Sequence, residues 1–469
     1  MKILIAGDGK LGETLAKQLS AEKHDVTIVD SDPSVLETSI GRYDVMYVQG
    51  NCATMETLRQ AGVEQANLLI AVTGSDEVNL LCCTTAHWIN PQLHTIARIR
   101  NPEYAEQAYA MRDAFAISMM VNPDQQAAAE IERLIKYPGF LKRESFAKGR
   151  MEIVELRLDA DSKLCDVTLN SLNSIVKCKV LVCAVVREGN AVTPDGNFIL
   201  REGDRIFVTA PTDTLSILLK NLGIITHRVE RVMIVGGGKL SYYLAQALQK
   251  HATEDRDTGI LKRILPKSGI DVQLVDIDPN RCRSLADQLP GIQVICGDAS
   301  NLSFLESIGL AQSSALVALT GLDELNMVVA LYGKNHNVPQ IIAKMSRIEN
   351  TQVIDNLSIG SMISPRNLCC NTIVRYVRAM QNQTGAAITM HTIADGNAEA
   401  IEFAVDESAM HCKIPLKKLK IRENVLIVGI IRGQSIEIPN GDSHYEVGDS
   451  VVVVSSGNQI IGQFNDIFA

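Results

Sequence analysis

The sequence predicts an α/β protein: two tandem copies of a parallel-sheet domain, each followed by a small β-rich α+β domain. Three observations carry this. First, IAGDGKLGETLAKQL near the N-terminus returns past the middle as IVGGGKLSYYLAQAL, so that Gly7, Gly9 and Gly12 correspond to Gly236, Gly238 and Ser241 at one constant offset. Second, the match continues. HDVTIVD, ending at Asp30, pairs with IDVQLVD, ending at Asp276, and GNCATMETLRQAGVEQANLLIAVTGSDEVNL, from Gly50, pairs with GDASNLSFLESIGLAQSSALVALTGLDELNM, from Gly297. Third, short apolar strands alternate with helical stripes in the leading part of each half, whereas the trailing part alternates with period two.

Taken in order, KILIAG is a strand, and Leu11, Leu15 and Leu19 form the apolar stripe of a helix. HDVTIVD is the second strand, a helix starts at Ser34, VMYVQG is the third strand, and LLIAVTG, from Leu68, is the fourth. A helix from Glu77 and the strand HTIARI follow. Such strands, separated by helices, make a parallel sheet covered on both faces. The second half repeats the plan, with Leu240, Leu244 and Leu248 as its stripe. There HATEDRDTGILKRILPKSG is polar and carries Gly and Pro, so it reads as an exposed inserted loop. VNPDQQAAAEIERLI and ISPRNLCCNTIVRYV are helical crossovers, with Pro123 opposite Pro365. From Met151 the chain alternates, placing Val154, Leu156 and Leu158 on one face. VLVCAVV and RIFVTA flank the turn-rich REGNAVTPDGN, and VLIVGII, RGQSIEIPNGD and EVGDSVVVVS match them, with Gly203-Asp204 and Gly448-Asp449 opening corresponding strands. The expected domains are 1–122, 123–141 (crossover), 142–228, 229–363, 364–382 (crossover) and 383–469.

A chain of 469 residues exceeds one core. A net charge of −9 with no Lys/Arg run argues against nucleic acid or an anionic membrane as the main partner. The longest apolar runs, such as VLVCAVV, fall far below the roughly 20 residues of a membrane helix, so no membrane-spanning segment is expected. Glycines and Asp8 interrupt any signal-peptide core in MKILIAGDGK. Eleven cysteines, an odd number without C-x-x-C, read as buried thiols in a reducing cytosol. Nine histidines lack ligand spacing, His87 and His94 reading as surface or helix residues, so no metal site is expected.

The repeated segment is the G-x-G-x-x-G dinucleotide fingerprint of a Rossmann-like domain. Its first Gly permits a tight turn, its second lets the backbone approach a pyrophosphate, and its third packs helix on sheet. The phosphates meet the N–H groups and positive dipole of the helix start. An acid about 20 positions on, here Asp30, accepts hydrogen bonds from the ribose and repels a 2′-phosphate, favouring NAD(H) over NADP(H). Loops at the carboxyl ends of the strands complete the crevice: Asn51-Cys52 and Thr73-Gly74 in the first half, Asp298-Ala299 and Thr320-Gly321 in the second. Arg98 and Arg100 follow the fifth strand and offer forked donors to phosphates; Lys344 and Ser346 stand in their places in the second half. The candidate residues are therefore Gly7, Asp8, Gly9, Lys10, Leu11, Gly12, Asp30, Asn51, Cys52, Thr73, Gly74, Arg98 and Arg100, and Gly236, Gly237, Gly238, Lys239, Leu240, Asp276, Asp298, Ala299, Thr320 and Lys344. Ser241 and Lys344 are expected to make the second site the weaker one.

Across essentially its whole length the chain resembles the peripheral nucleotide-binding subunits of the bacterial Trk potassium uptake system, on GDGKLG with Asp30, GNCA, AVTGSDEVNL, ARIRNPEY and the duplicated plan. That family carries two tandem modules of the type that regulates potassium conductance. The resemblance implies a cytosolic protein, peripheral at the inner face of the plasma membrane, that docks on a membrane-embedded potassium transporter subunit. It implies gating of that pore by NAD(H), ATP or ADP, and a first site of Gly7 to Leu11, Asp30, Asn51, Cys52, Thr73 and Arg98. Two modules per chain imply a homotetramer that completes a ring of eight.

The alternative is an NAD-dependent oxidoreductase. A dehydrogenase needs an acid/base group on a substrate domain beside the nicotinamide. Neither His227 nor His411 lies in a recognisable catalytic setting, and each β-rich part is only about 80 residues long. A regulatory binding protein without catalysis is the expectation. The intact first fingerprint disfavours a scaffold with dead sites.

Overall fold

The computed structural model describes residues 1–34, 42–136, 141–158, 160–211, 214–222, 229–254, 270–346, 360–380, 387–394, 397–457 and 461–469. In the first half β1 (Lys2–Ala6), α1 (Lys10–Ala21), β2 (Asp25–Asp30), β3 (Met46–Gln49), α2 (Met55–Gln60), β4 (Leu68–Ala71), α3 (Asp76–Ile89), β5 (His94–Arg98), α4 (Pro102–Ala110) and β6 (Met119–Val121) alternate. The helix expected from Ser34 falls almost wholly on residues outside those described. The strands form one parallel sheet in the order β3-β2-β1-β4-β5-β6. That order reverses direction between β1 and β4, where α/β sheets open a ligand crevice. Leu4, Leu69, Cys82, Cys83, Ala86 and Ala97 are among the residues of its core. The crossover helix α5 (Pro123–Lys136) follows.

The first small domain comprises β7 (Lys142–Phe146), β8 (Met151–Arg157), α6 (Leu172–Val176), β9 (Leu181–Arg187), β10 (Asn190–Val192), β11 (Arg205–Pro211) and α7 (Leu215–Leu222). Its sheet is antiparallel, in the order β10-β9-β11-β8-β7.

The second half repeats both parts. It runs through β12 (Arg231–Val235), α8 (Lys239–Glu254), β13 (Asp271–Asp276), α9 (Pro279–Gln288), β14 (Gln293–Cys296), α10 (Leu302–Ser307), β15 (Ala315–Ala318), α11 (Asp323–Asn335), β16 (Gln340–Lys344), β17 (Ser361–Ile363) and α12 (Pro365–Met380). Then come β18 (Ala387–Ile393), β19 (Ala398–Ala404), β20 (Val425–Arg432), β21 (Ser435–Glu437) and β22 (Ser450–Ser456). The sheet orders, β14-β13-β12-β15-β16-β17 and β18-β19-β22-β20-β21, copy those of the first half. Helix α8 continues through Glu254, so the first residues of the expected inserted loop are helical; the rest of that loop lies outside the described residues.

Two features of the small domains exceed what alternation indicates. The expected inward face of β8, Val154 and Leu156, packs with Leu172, Val176 and Leu218 in one core. Its other face, Met151 and Ile153, is also buried, in a second core shared with Ala400, Val428, Val452 and Val454 of the later sheet. Polar bonds close the same interface. Ala147 N donates to the buried Glu402 carboxylate at 3.0 Å, Arg150 Nη1 donates to the Gly433 carbonyl at 2.9 Å, and the Thr193 and Ser456 hydroxyls lie 2.8 Å apart. The second feature is a repeated ion pair. Gly203 and Gly448, at φ 83° and 95°, turn the chain so that Asp204 and Asp449 reach Arg187 and Arg432, at 2.7 and 2.9 Å. Such positive φ favours glycine.

The chain divides into two compact units that do not follow the repeat. One comprises Met1–Ala129, Gly238–Leu244 and Ser364–Val374; the other comprises Glu130–Gly237, Ala245–Ile363 and Arg375–Ala469. Within the first, the Tyr243 hydroxyl accepts from Asn122 Nδ2 at 3.0 Å and donates to the Arg100 carbonyl at 3.2 Å. Burial pushes that phenol up to about 12. Among the described residues, no helix is long and apolar enough to cross a membrane.

Candidate functional site

The first crevice is built at the carboxyl ends of β1, β2, β4 and β5. Gly7 leaves β1 at φ 103°, and its N–H donates to the Val29 carbonyl at 2.8 Å. A Cβ there would come within 2.9 Å of the Thr73 backbone, so the turn is closed against β4. A Cβ on Gly12 would strike the Gly7 carbonyl oxygen, which is how α1 sits hard on the strand exit. Gly9 caps α1 and would meet nothing within 4 Å. No side chain among the described residues caps the first helical turn, whose N–H groups favour an anion.

The side chains around that space are held by specific bonds. Asp30, ending β2, accepts from Asp8 N at 2.7 Å and from Asp32 N at 2.9 Å. It thus braces the glycine turn. Lys10 is exposed, and Leu11 packs inward with Gly12. Asn51 is exposed and turns its Oδ1 back to Ala53 N at 3.0 Å. Cys52 is buried, and the Cys82 thiol bonds to it; this bond holds Cys52 below the ordinary thiol range and Cys82 well above it. Gly74 faces open space.

Sequence reasoning passed over Asn79, which organises this end of the crevice. Fully buried on α3, its Oδ1 accepts from Thr73 N and Thr73 Oγ1, both at 2.8 Å, and its Nδ2 donates to the Arg98 carbonyl at 2.9 Å. The signal was present: Asn326 holds the same place in GLDELNM as Asn79 in GSDEVNL, and it clamps Thr320 and Lys344 with the same three bonds.

Arg98 and Arg100 separate. Arg98 Nη2 donates to the Thr73 carbonyl, while its buried Nε has no partner among the described residues. Burial, then the Arg100 charge, lowers the Arg98 pKa. Arg100 is committed elsewhere: its Nε donates to Asp124 at 2.8 Å, at the start of α5. Its backbone N–H and that of Asn101 both donate to the Asp76 carboxylate.

The second fingerprint repeats the turn with different side chains. Gly236, at φ 102°, donates to the Val275 carbonyl at 2.7 Å and would meet the Leu319–Thr320 backbone at 2.9 Å if it carried a Cβ. Gly237 N donates to Asp276 Oδ2 at 2.5 Å. Its carbonyl accepts from Arg281 Nε at 2.6 Å, a guanidinium that the first half lacks at this place. Gly238 faces open space, Lys239 is exposed, and Leu240 and Ser241 are buried. Asp298 is held low by bonds to Ser300, and Ala299 is buried. Lys344 Nζ turns back to the Leu319 carbonyl at 3.4 Å.

Two features of the first crevice suit a nucleotide: the helix start at Gly9, where no described residue would meet a Cβ within 4 Å, and the Asp30 carboxylate at the end of β2. His411 stacks edge-on against Phe468, with ring centroids 4.7 Å apart, and His227 lies outside the described residues.

The TrkA-N domain family matches residues 3–123 and 232–365, and the TrkA-C domain family matches residues 153–223 and 400–468. A Trk system potassium uptake protein TrkA homolog of Archaeoglobus fulgidus is 31% identical over 98% of this chain and 98% of its own. A Trk system potassium uptake protein TrkA of Haemophilus influenzae is 28% identical over 100% of this chain and 98% of its own. Among solved structures, the GsuK RCK domain superposes with a TM-score of 0.60 at 17% identity, covering 97% of this chain and 92% of its own. The GsuK channel bound to NAD gives 0.57 at 17% identity, covering 97% and 77%. These likenesses show a shared fold.

Proposed function

The chain belongs to the TrkA family, and from that premise we propose that it is the nucleotide-binding regulatory subunit of a potassium uptake system. The match over nearly the whole chain, both domain types twice, supports the regulatory reading. The observation that carries nucleotide binding is the first crevice: the glycine turn at the start of α1, braced by Asp30 and closed against Thr73, to whose carbonyl Arg98 donates. In this reading the pyrophosphate rests on the N–H groups from Gly9 to Gly12 and on Arg98, and Asp30 receives the ribose hydroxyls. NAD(H) is the leading ligand, with ATP and ADP as alternatives. The site residues already named and the domain limits 1–122, 142–228, 229–363 and 383–469 belong to the same proposal.

The protein binds its ligand without consuming it. A bound nucleotide shifts conformation only by its differential affinity for two shapes, and several coupled sites multiply that bias. The partner is a membrane-embedded potassium transporter subunit, reached from the cytosolic face, and self-association as a homotetramer supplies the ring. Titration of the purified chain with NADH, NAD, ATP and ADP tests binding. Potassium uptake by cells lacking the subunit, complemented with this chain or with Arg98→Ala, tests regulation. Steady NADH oxidation coupled to a small organic substrate would overturn the reading in favour of an enzyme. A monomeric mass by light scattering with nucleotide present would remove the ring.

A further inference from the structure

Two thiols of the second nucleotide domain face each other beside Asp276. Cys282 lies in the first turns of α9, and Cys296 ends β14, where it pairs in register with Asp276. Cys282 Sγ lies 3.4 Å from the Asp276 carbonyl and 3.9 Å from that of Ile295, while Cys296 Sγ lies 3.8 Å from the Ile277 carbonyl. Consecutive carbonyls at one strand exit, those of Asp276 and Ile277, thus each hold one of the two sulfurs. Their exposures differ: Cys282 is buried and Cys296 is exposed. Burial, and then the neighbouring Cys296 thiol, push the Cys282 thiol up to about 11. The arrangement is no part of the repeated plan. The first half has Leu36 and Gln49 at these places, and Gln49 pairs with Asp30 as Cys296 pairs with Asp276.

We propose that Cys282 and Cys296 form a reversible disulfide, made by a hydroperoxide, at the ribose end of the second nucleotide site. The regulatory part of this rests on the nucleotide reading of that site; the disulfide itself does not. The exposed Cys296, as thiolate, attacks one oxygen of hydrogen peroxide. The O–O bond breaks, the leaving hydroxide takes a proton as water, and Cys296 becomes a sulfenic acid. Cys282 sulfur then attacks the sulfenic sulfur. The S–S bond forms, the S–O bond breaks, and hydroxide leaves with the Cys282 proton as a second water. The two sulfurs lose two electrons in all, and the peroxide gains them. A small-molecule thiol reverses the bond by exchange. Because bonded sulfurs lie about 2.05 Å apart, closer than two unbonded thiols, closure draws the start of α9 towards the end of β14. The turn from β13 into α9, which begins at Asp276 and whose Asp276 and Ile277 carbonyls contact the two sulfurs, moves with it, so ribose binding at Asp276 should weaken.

The test uses the full chain. After mild hydrogen peroxide, free thiols are alkylated with iodoacetamide and the unreduced digest is read by mass spectrometry. The expected product is the Cys282 peptide joined to the Cys296 peptide, lost on reduction and absent from Cys296→Ser, whose exposed position leaves folding intact. Recovery of both cysteines as alkylated, overoxidation of Cys296 without a cross-link, or its pairing with another cysteine would overturn the disulfide. The second measurement titrates NADH into Asp30→Ala, reduced and cross-linked, so that the second site reports. Affinity weakened by about fivefold or more on cross-linking is the expected coupling, and unchanged affinity overturns the switch. No binding in either state would refute the nucleotide reading of the second site, and with it the switch, separately from the cross-link.

Discussion

The buried thioether of Met151, on the first small sheet, fills the space in which a Cβ on Gly429 of the second small sheet would lie. The two small domains of one chain are thereby packed through a single core with Phe207, Val428 and Val452. Gly429→Ala should overpack this core and cost about 1–3 kcal/mol. In a double-mutant cycle, Met151→Ala with Gly429→Ala should lose less than the sum of the single changes. Urea denaturation measures all three variants, and strict additivity would show that the two positions do not compete for one space.

Asp30 has two duties, bracing Asp8 N in the turn and, on the proposed reading, receiving the ribose. A charged hydrogen bond is worth about 1.5–3 kcal/mol, so Asp30→Ala should weaken nucleotide binding at the first site by roughly 10- to 150-fold. Calorimetry on the folded variant is the check. Unchanged affinity would place the ligand elsewhere.

Asn79 satisfies Thr73 and the Arg98 carbonyl from a fully buried position. Asn79→Ala should leave those groups unpaired and cost about 1–3 kcal/mol of stability. It should also release the β4 and β5 exits and weaken the first site, while Asn79→Asp, which keeps the acceptor, should retain part of the Thr73 bond. Thermal melts and nucleotide titration together distinguish this from a purely stabilising role, which would leave the affinity untouched.

The two nucleotide sites of a chain should differ, the second binding more weakly or preferring another nucleotide. Ser241 replaces the third glycine, and Lys344, a point charge rather than a fork, replaces Arg98. Arg281 and Asp276 also engage Gly237. Separated halves cannot test this, because cutting near residue 228 would expose the core that Cys183 and Phe207 share with Ala400 and Val454. Full-length Asp30→Ala and Asp276→Ala each leave one site to be titrated. Equal affinities and identical preferences would sink the idea. Gly12→Ser, whose Cβ would strike the Gly7 carbonyl oxygen, should impair the first site, and Ser241→Gly should tighten the second.

His336 should titrate above its ordinary value of 6.5, because the Tyr332 carbonyl, and then Glu306, favour its protonated ring, at 3.0 and 2.9 Å. Its folded pKa is raised. The stabilisation is therefore complete below the unfolded value and disappears as pH rises through the folded one. NMR titration of the ring checks the direction, and Glu306→Gln should bring the midpoint down.

The repeat, the strand–turn–helix order and the paired crossovers were legible because they rest on local rules. Periodicity marks an element, and a glycine at Gly7 or Gly236 marks a turn whatever surrounds it. Gly203-Asp204 and Gly448-Asp449 likewise announced equivalent strands, although the arginines they meet did not show. Alternation in β8 identified Val154 and Leu156 as inward but said nothing of Met151 and Ile153, because period two names a face without naming a partner sheet. Asn79 looked like an ordinary helical residue until tertiary packing buried it beneath two strand exits. Arg98 and Arg100, two positions apart in sequence, were parted in the same way: one is half-buried and bound to the Thr73 carbonyl, the other is bound to Asp124. The sequence by itself determined the elements and their duplication, since those depend on neighbours a few residues away. Only the tertiary structure decided which polar groups became partners, since a buried donor or acceptor is satisfied by whichever distant element the fold brings within about 3 Å.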